Sequence, residues 1–287
     1  MRIVTDSAAD LTAEEIGQYG IEIASLQINF PEKSVGAEQI APDAFYDRLK
    51  SMFPNIPTTS QPSSGVFRDL YARLAAQGEE ILSIHISSGL SGTLDAARQG
   101  AAQAEEAKIT LWDTQTLSGG QRYQVLAAAQ ALKAGWSWDR IQERLAKIRE
   151  ATETIYTLET LDYLARGGRI GRIQALAGSL LHIKPVIFVD KKDGKYSQAG
   201  RGRTIGKALE VLLGHLTTAF GTTAPLWATV LHGQFESGAA TLTRLLHERF
   251  NIARLEVTRI SPVLGVHTGP GVVGVAILPM ALMEGFE

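Results

Sequence analysis

The feature that most restricts the fold is an alternation. Over roughly the first 150 residues, short apolar runs take turns with longer stretches in which apolar residues recur at helical spacing. "RIVT" opens the chain as a strand, "ILSIHIS" and "KITLWD" follow as two more, and helical patterns separate them. Strands joined through helices pair in parallel, because a parallel connection must cross the sheet and a helix is the usual crossover. The expected fold class is α/β, with a mostly parallel sheet flanked by helices in an N-terminal domain. Within it, "TAEEIGQYG" carries a capping box, Thr12 with Glu15, and a glycine stop at Gly20. "QPSSGVFRDLYARLAAQG" reads as a helix with Pro62 near its start and Gly78 past its end. "TLDAARQGAAQAEEA" is helical, a glycine turn leads into the alanine-rich helix "QRYQVLAAAQALKAG", and the amphipathic "SWDRIQERLAKIREA" ends the domain near residue 152.

The second half changes style. "TIYTLET" is a strand, "LDYLARGGRIGRIQALAGSLL" reads as helix, glycine turn, helix, and "KPVIFVDKKDGKYSQAG" is a hairpin around Asp193-Gly194. "TIGKALEVLLGHLTTAF" and "ESGAATLTRLLHERF" are helical, while "LWATVLHG", "ARLEVTRI" and "GVVGVAILP" are strands. Hairpins mixed with helices predict an α+β domain with a mixed or antiparallel sheet. The expected division is therefore 1–152 and 153–287.

Composition excludes several functions. A net charge of −2 gives no general attraction to nucleic acid or acidic membranes. With no cysteine there are no disulfides, thiolate metal sites or cysteine nucleophiles. No membrane span and no leader are read from the sequence, so a cytoplasmic location is expected. No cofactor is expected either. "GPGVVG" at 269–274 has dinucleotide-type glycine spacing but is followed by a strand-like run, without the required helix and acidic residue. "GRGRTIGKA" departs from a phosphate loop in its glycine spacing and carries Ala208 where a Ser or Thr would hold magnesium. "GLSGT" misses the nucleophile elbow by one residue. The six histidines form no H-x-x-x-H pair, so no metal site is expected.

Two hydroxyl-rich stretches remain, "TTSQPSSG" at 58–65 and "SSGLSGT" at 87–93. Both precede helical patterns. Placed at the carboxyl edge of a parallel sheet, they would offer hydroxyls and free backbone N–H groups to a carboxylate or phosphate, with Gly89 and Gly92 allowing close approach. Serine and threonine also simply cap helices. The residues alone leave both readings open. "SPVLGVHTGPG" holds His267 beside a Gly-Pro-Gly turn, as a surface or core group or as a neutral donor to an anion. "YLARGGRIGR" sets Arg166, Arg169 and Arg172 among glycines, as a solvated basic turn or as an anion or partner contact. Without interleaved aromatics it is a poor nucleic-acid site.

Taken together, "VTDSAADL", "TSQPS", "SSGLSGT", "YLARGGRIG", "IKPV" and "HTGPG" resemble the DegV family in order and approximate spacing, from residue 1 to about 280. The resemblance implies two α/β domains holding one long-chain fatty acid, its tail in an apolar tunnel and its carboxylate at a hydroxyl-lined site. It also implies a carrier that presents the acid to a fatty acid kinase and passes the acyl phosphate to acyltransferases of phospholipid synthesis. Carried over by motif, Thr59 and Ser91 would bind the carboxylate and His267 would complete the network, with Ser60, Gly92 and Gly269 beside them. Arg169 and Arg203 would lie near the head group or the kinase-docking surface. The chain departs from the family at Ala8, where a hydroxyl is usual, and at Ile205 and Gly206, where basic residues are common; this makes Arg201 the alternative to Arg203. The segment "QINFPEKSVGAEQIAPDAFYDRL" also lacks the tyrosine and acidic turn often seen there. The rival reading is an enzyme, a Ser-dependent acyl hydrolase or a phosphotransferase, which would need a base beside Ser91 and an oxyanion hole.

Overall fold

The computed structural model describes residues 1–174 and 183–286. In chain order its elements are β1 (Arg2–Asp6), α1 (Ala13–Tyr19), β2 (Glu22–Ala24), β3 (Gln27–Asn29), β4 (Ser34–Gly36), α2 (Pro42–Met52), β5 (Thr58–Ser60) and α3 (Ser64–Ala75). β6 (Ile81–His85), α4 (Thr93–Gln103), β7 (Ile109–Asp113), α5 (Ser118–Lys133) and α6 (Trp138–Ala151) follow. Then come β8 (Glu153–Thr157), α7 (Asp162–Arg166), β9 (Lys184–Asp190), β10 (Lys195–Gly202), α8 (Ile205–Phe220) and β11 (Leu226–His232). α9 (Glu236–Arg249), β12 (Ile252–Arg259), α10 (Pro262–Thr268) and β13 (Val273–Pro279) complete the fold.

The first sheet, in the order β2-β1-β6-β7, is parallel throughout, as its helix-separated strands require. Its alternation is packed on both faces. Val4 and Ile81 meet Phe67, Tyr71 and Leu74 of α3 and Ala97 of α4, whereas Ile3, Leu82 and Ile84 share a core with Tyr123 and Ala127 of α5. The second sheet, β10-β9-β8-β13-β11-β12, is antiparallel except for β11 with β12. Leu209, Leu212 and Leu242 of α8 and α9 cover one face against Ile155, Val230 and Val275. The other face, with Tyr156, Trp227 and Ala276, belongs to the same core as α5.

α5 thus lies between two sheets, which explains its alanines. Only small side chains let both sheets approach one helix. A Cβ on Gly119 would come within 2.7 Å of Ala276 Cβ, and one on Gly120 within 2.5 Å of Thr154 Oγ1. The glycine turn expected before this helix is therefore a correction: Ser118, Gly119 and Gly120 form its first turn.

The capping box of Thr12 and Glu15, the left-handed Gly20 and the hairpin with Gly194 at φ +65° match the sequence pattern. Two regions do not. Residues 27–60 contribute a small antiparallel sheet, β4-β3-β5. "TTSQPSSG" is consequently no turn at a parallel-sheet edge: Thr58–Ser60 is a strand of that third sheet, and only Ser63 caps α3, accepting from Val66 N. "SPVLGVHT" forms the short helix α10, begun by Pro262. Of the helix–turn–helix read over "LDYLARGGRIGRIQALAGSLL", the first helix is α7, while most of the second lies outside the described residues.

Candidate functional site

Thr59 is the middle residue of β5 and pairs with Ile28 of β3. Its Oγ1 lies 2.8 Å from Nε2 of His267, 208 positions along the chain. His267 stands in the last turn of α10, which ends at Gly269 with φ +76°. The imidazole lies against Gly167 at the end of α7. A Cβ on Gly167 would fall 2.1 Å from His267 Nδ1, so a glycine is required where the chain leaves α7. Gly269 has a similar duty, since a Cβ there would sit 2.4 Å from the ring of Tyr163. Burial, and then the positive charge of Arg169, push His267 down to about 3. At neutral pH it is therefore an uncharged imidazole, and its buried Nδ1 has no hydrogen-bond partner among the described residues.

The second hydroxyl stretch follows β6 and is a true carboxyl-edge loop. Ser88 is held by Asp113, through Oγ at 2.5 Å and its backbone N at 3.3 Å. Ser87 Oγ donates to the carbonyl of Gly194 at 2.8 Å. Gly89 faces that same hairpin, where a Cβ would meet Asp193 O at 2.4 Å. Its freedom therefore serves loop-to-hairpin packing, which corrects the expectation of a close anion approach. Gly92 begins α4 with no side-chain cap, and a Cβ there would meet Gln61 Nε2 at 3.0 Å. The two hydroxyl stretches thus adjoin through Gln61 and Gly92, although they come from different sheets. Between them, Ser91 Oγ lies 2.8 Å from Thr93 Oγ1.

Thr59, Ser91, Arg169, Tyr196 and His267 line one cavity. Its apolar wall comes from Leu26, Ile86, Leu90, Leu117, Val263 and Leu264. The open space among these residues is about 30 Å³, room for the head of a ligand rather than for a whole lipid. Arg169 supplies a cation to the rim and donates to Gly167 O at 2.7 Å. Ser60 lies behind Thr59, its hydroxyl 3.4 Å from Asn29 Nδ2. Arg201 and Arg203 are exposed and not among the cavity-lining residues. Arg201 is five positions past Tyr196 on β10, roughly 17 Å at strand rise.

The arrangement bears on catalysis. The base that lines the cavity is His267, yet it contacts Thr59, while Ser91 contacts Thr93. Among the described residues no carboxylate orients the other ring nitrogen, and an imidazole held near 3 is a weak base. A hydroxyl–histidine–carboxylate line does exist inside the first sheet: Ser83 Oγ to His85 Nε2 at 2.7 Å, and His85 Nδ1 to Asp6 Oδ2 at 2.9 Å. All three residues are fully buried and Ser83 is also engaged by Tyr71, so this line holds strands together rather than meeting substrate.

A sequence profile of the family described as "Uncharacterised protein, DegV family" matches residues 1–280. The chain belongs to the DegV family. A DegV domain-containing protein of Deinococcus radiodurans is 37% identical over 279 residues, covering 97% of this chain and 96% of the relative. Among solved structures, that of a fatty-acid-binding DegV family protein from Thermus thermophilus superposes with a TM-score of 0.89 at 32% identity, over 97% of this chain and 100% of the other. The structure of DegV, a fatty acid binding protein from Bacillus subtilis, gives 0.85 at 28% identity, over 97% and 98%.

Within this DegV-family chain, two cavity features escaped sequence reading. Tyr196 reaches the cavity from the hairpin strand β10, and its only signal was a large side chain on the alternating buried face. Gly167 was one glycine of several in "RGGRIG", and nothing local marks it as the seat of a distant imidazole.

Proposed function

We propose that this protein binds one long-chain fatty acid, its carboxylate accepting hydrogen bonds from the Thr59 and Ser91 hydroxyls, with neutral His267 donating to Thr59 Oγ1 to complete the network, and its tail entering the apolar interior behind them. The observation that carries this reading is a single cavity joining two hydroxyls, a neutral imidazole and one arginine to a wall of aliphatic side chains. Neutral donors contribute about 1 kcal/mol each, whereas tail burial contributes about 0.8 kcal/mol per methylene. The tail supplies affinity, and the head site supplies orientation without a grip too tight for release. The fatty-acid-binding relatives from Thermus thermophilus and Bacillus subtilis support the ligand class.

The protein acts, in this reading, as a non-catalytic cytoplasmic carrier. It presents the acid to a fatty acid kinase and passes the acyl phosphate to acyltransferases, with Arg169 near the head group and Arg201 or Arg203 on the docking face. Thr59, rather than Ser91, occupies the position beside the imidazole, which weighs against a Ser91 hydrolase. Delipidated protein offered a long-chain fatty acid and, separately, an activated acyl ester tests the choice. The carrier binds the acid near one equivalent and leaves the ester intact. Steady ester turnover abolished by Ser91→Ala, or by Thr59→Val, would establish the enzyme instead.

A further inference from the structure

The opening motif "VTDSAADL" has no part in the cavity described above. The structure turns it toward a different pocket, of about 510 Å³, between the start of α1, the start of α2 and the junction of β12 with α10. That volume lies within the usual range for small-molecule sites. Leu11, Ile16, Ile23, Ile40, Pro42 and Pro262 give it an apolar lining.

Its polar groups differ in what they still offer. The Asp6 carboxylate is saturated, accepting from Ala8 N, Ile86 N, Gln121 Nε2 and His85 Nδ1. Arg259 has its two terminal nitrogens committed, bonded to Glu236 at 2.6 Å and to Asp43, so its charge is offset by two carboxylates, while its buried Nε has no partner among the described residues. Asp10 is different. It is 8% exposed and lines the pocket. One carboxyl oxygen accepts from Ser261 N at 3.0 Å and the other from Ser118 Oγ. A carboxylate has about four acceptor positions, so the contacts from the described residues do not fill it. The residue is also held at φ +51°, a conformation uncommon outside glycine. Ser261 Oγ, buried beside Asp10, has no well-aligned partner among the described residues. Glu38 adds a second negative charge at the rim.

We propose that this pocket binds a compact amphiphile with an aliphatic body and a primary ammonium head, the head donating to Asp10 and Ser261. An apolar wall ending in an under-used buried carboxylate favours a cation. It rejects a second fatty acid, whose carboxylate would meet Asp10 and Glu38. The site is separate from the Thr59 cavity and does not depend on the function proposed there.

Octylammonium is the probe, titrated calorimetrically into full-length protein saturated with palmitate, and into protein without palmitate, with octanol as the neutral control. Saturable octylammonium binding is expected in both, indifferent to palmitate and at least tenfold tighter than octanol. Asp10→Asn should weaken it at least tenfold. Ala41→Trp, an exposed rim position that fills the pocket without touching Asp10, should abolish it, so a folding defect in Asp10→Asn does not leave the matter open. Absence of binding, equal binding of octanol, competition with palmitate, or binding that survives Ala41→Trp overturns the proposal. Failure to bind palmitate would count against the fatty-acid reading alone.

Discussion

Thr59 and Ser91 are proposed to act as neutral donors, and the size of their effect follows from that. Ser91→Ala and Thr59→Val each remove about 1 kcal/mol of hydrogen bonding, so fatty-acid affinity should fall roughly fivefold for each. Titration of the delipidated variants would check this; unchanged affinity would place the carboxylate elsewhere. His267 makes a pH prediction. Its ordinary value near 6.5 falls to about 3 on folding, so above 6.5 the group is neutral in both states and adds no pH dependence. Below that, the unfolded chain takes up a proton that the folded protein refuses, and stability drops as pH falls toward 3. Asp10 has the opposite sign: burial raises it to about 6, so acidification below 6 favours the folded form. Comparing melting temperatures of wild type and His267→Asn between pH 7 and 4.5 cancels the Asp10 contribution, and the wild type should lose more. Hydroxyls and histidine were legible as candidates in the sequence. Their juxtaposition was implied only by the family resemblance and not by the residues themselves, because Thr59 and His267 meet across 208 positions and through a glycine on a third element.

Among the elements, α5 carries the connection between sheets. Arg122 projects from it to Glu15 of α1 and to Glu256 of β12, with Nη1 2.6 Å from Glu256. Burial works against the charge, but the two carboxylates outweigh it and hold the guanidinium more firmly protonated than usual. Arg122→Leu would leave both carboxylates without this partner and should cost about 3 kcal/mol, at the low end for a broken buried pair because both are partly solvated. Chemical denaturation measures it, and a loss below about 1 kcal/mol would be the surface-pair value. Helices and strands with a full apolar period were readable: β6, β7, α6 and α8 lie where the pattern predicts. β3, β4 and β5 have three residues each, too few for a two-residue alternation to stand out. α10 was hidden for a related reason, being a seven-residue helix buried throughout with no polar face.

At the scale of the molecule, two sheets share one core. Leu82 and Trp112 of the first half and Tyr156, Trp227 and Ala276 of the second belong to a single buried cluster around α5. We propose a boundary between residues 152 and 153 as a division of sheets rather than of cores. Calorimetry should then show one cooperative unfolding transition; two resolved transitions would mean separate cores. The α/β class and its change of style midway were legible because period distinguishes helix-linked strands from hairpins. That α5 serves both sheets was not, since a helix buried on every side has no stripe to read. The central claim concerns what this molecule holds. Protein purified under mild conditions, extracted with organic solvent and examined by mass spectrometry should release a long-chain fatty acid at close to one equivalent, and a Thr59→Val, Ser91→Ala double variant clearly less. An extract without fatty acid, from protein that also stays unloaded after incubation with a fatty-acid mixture, would contradict the account.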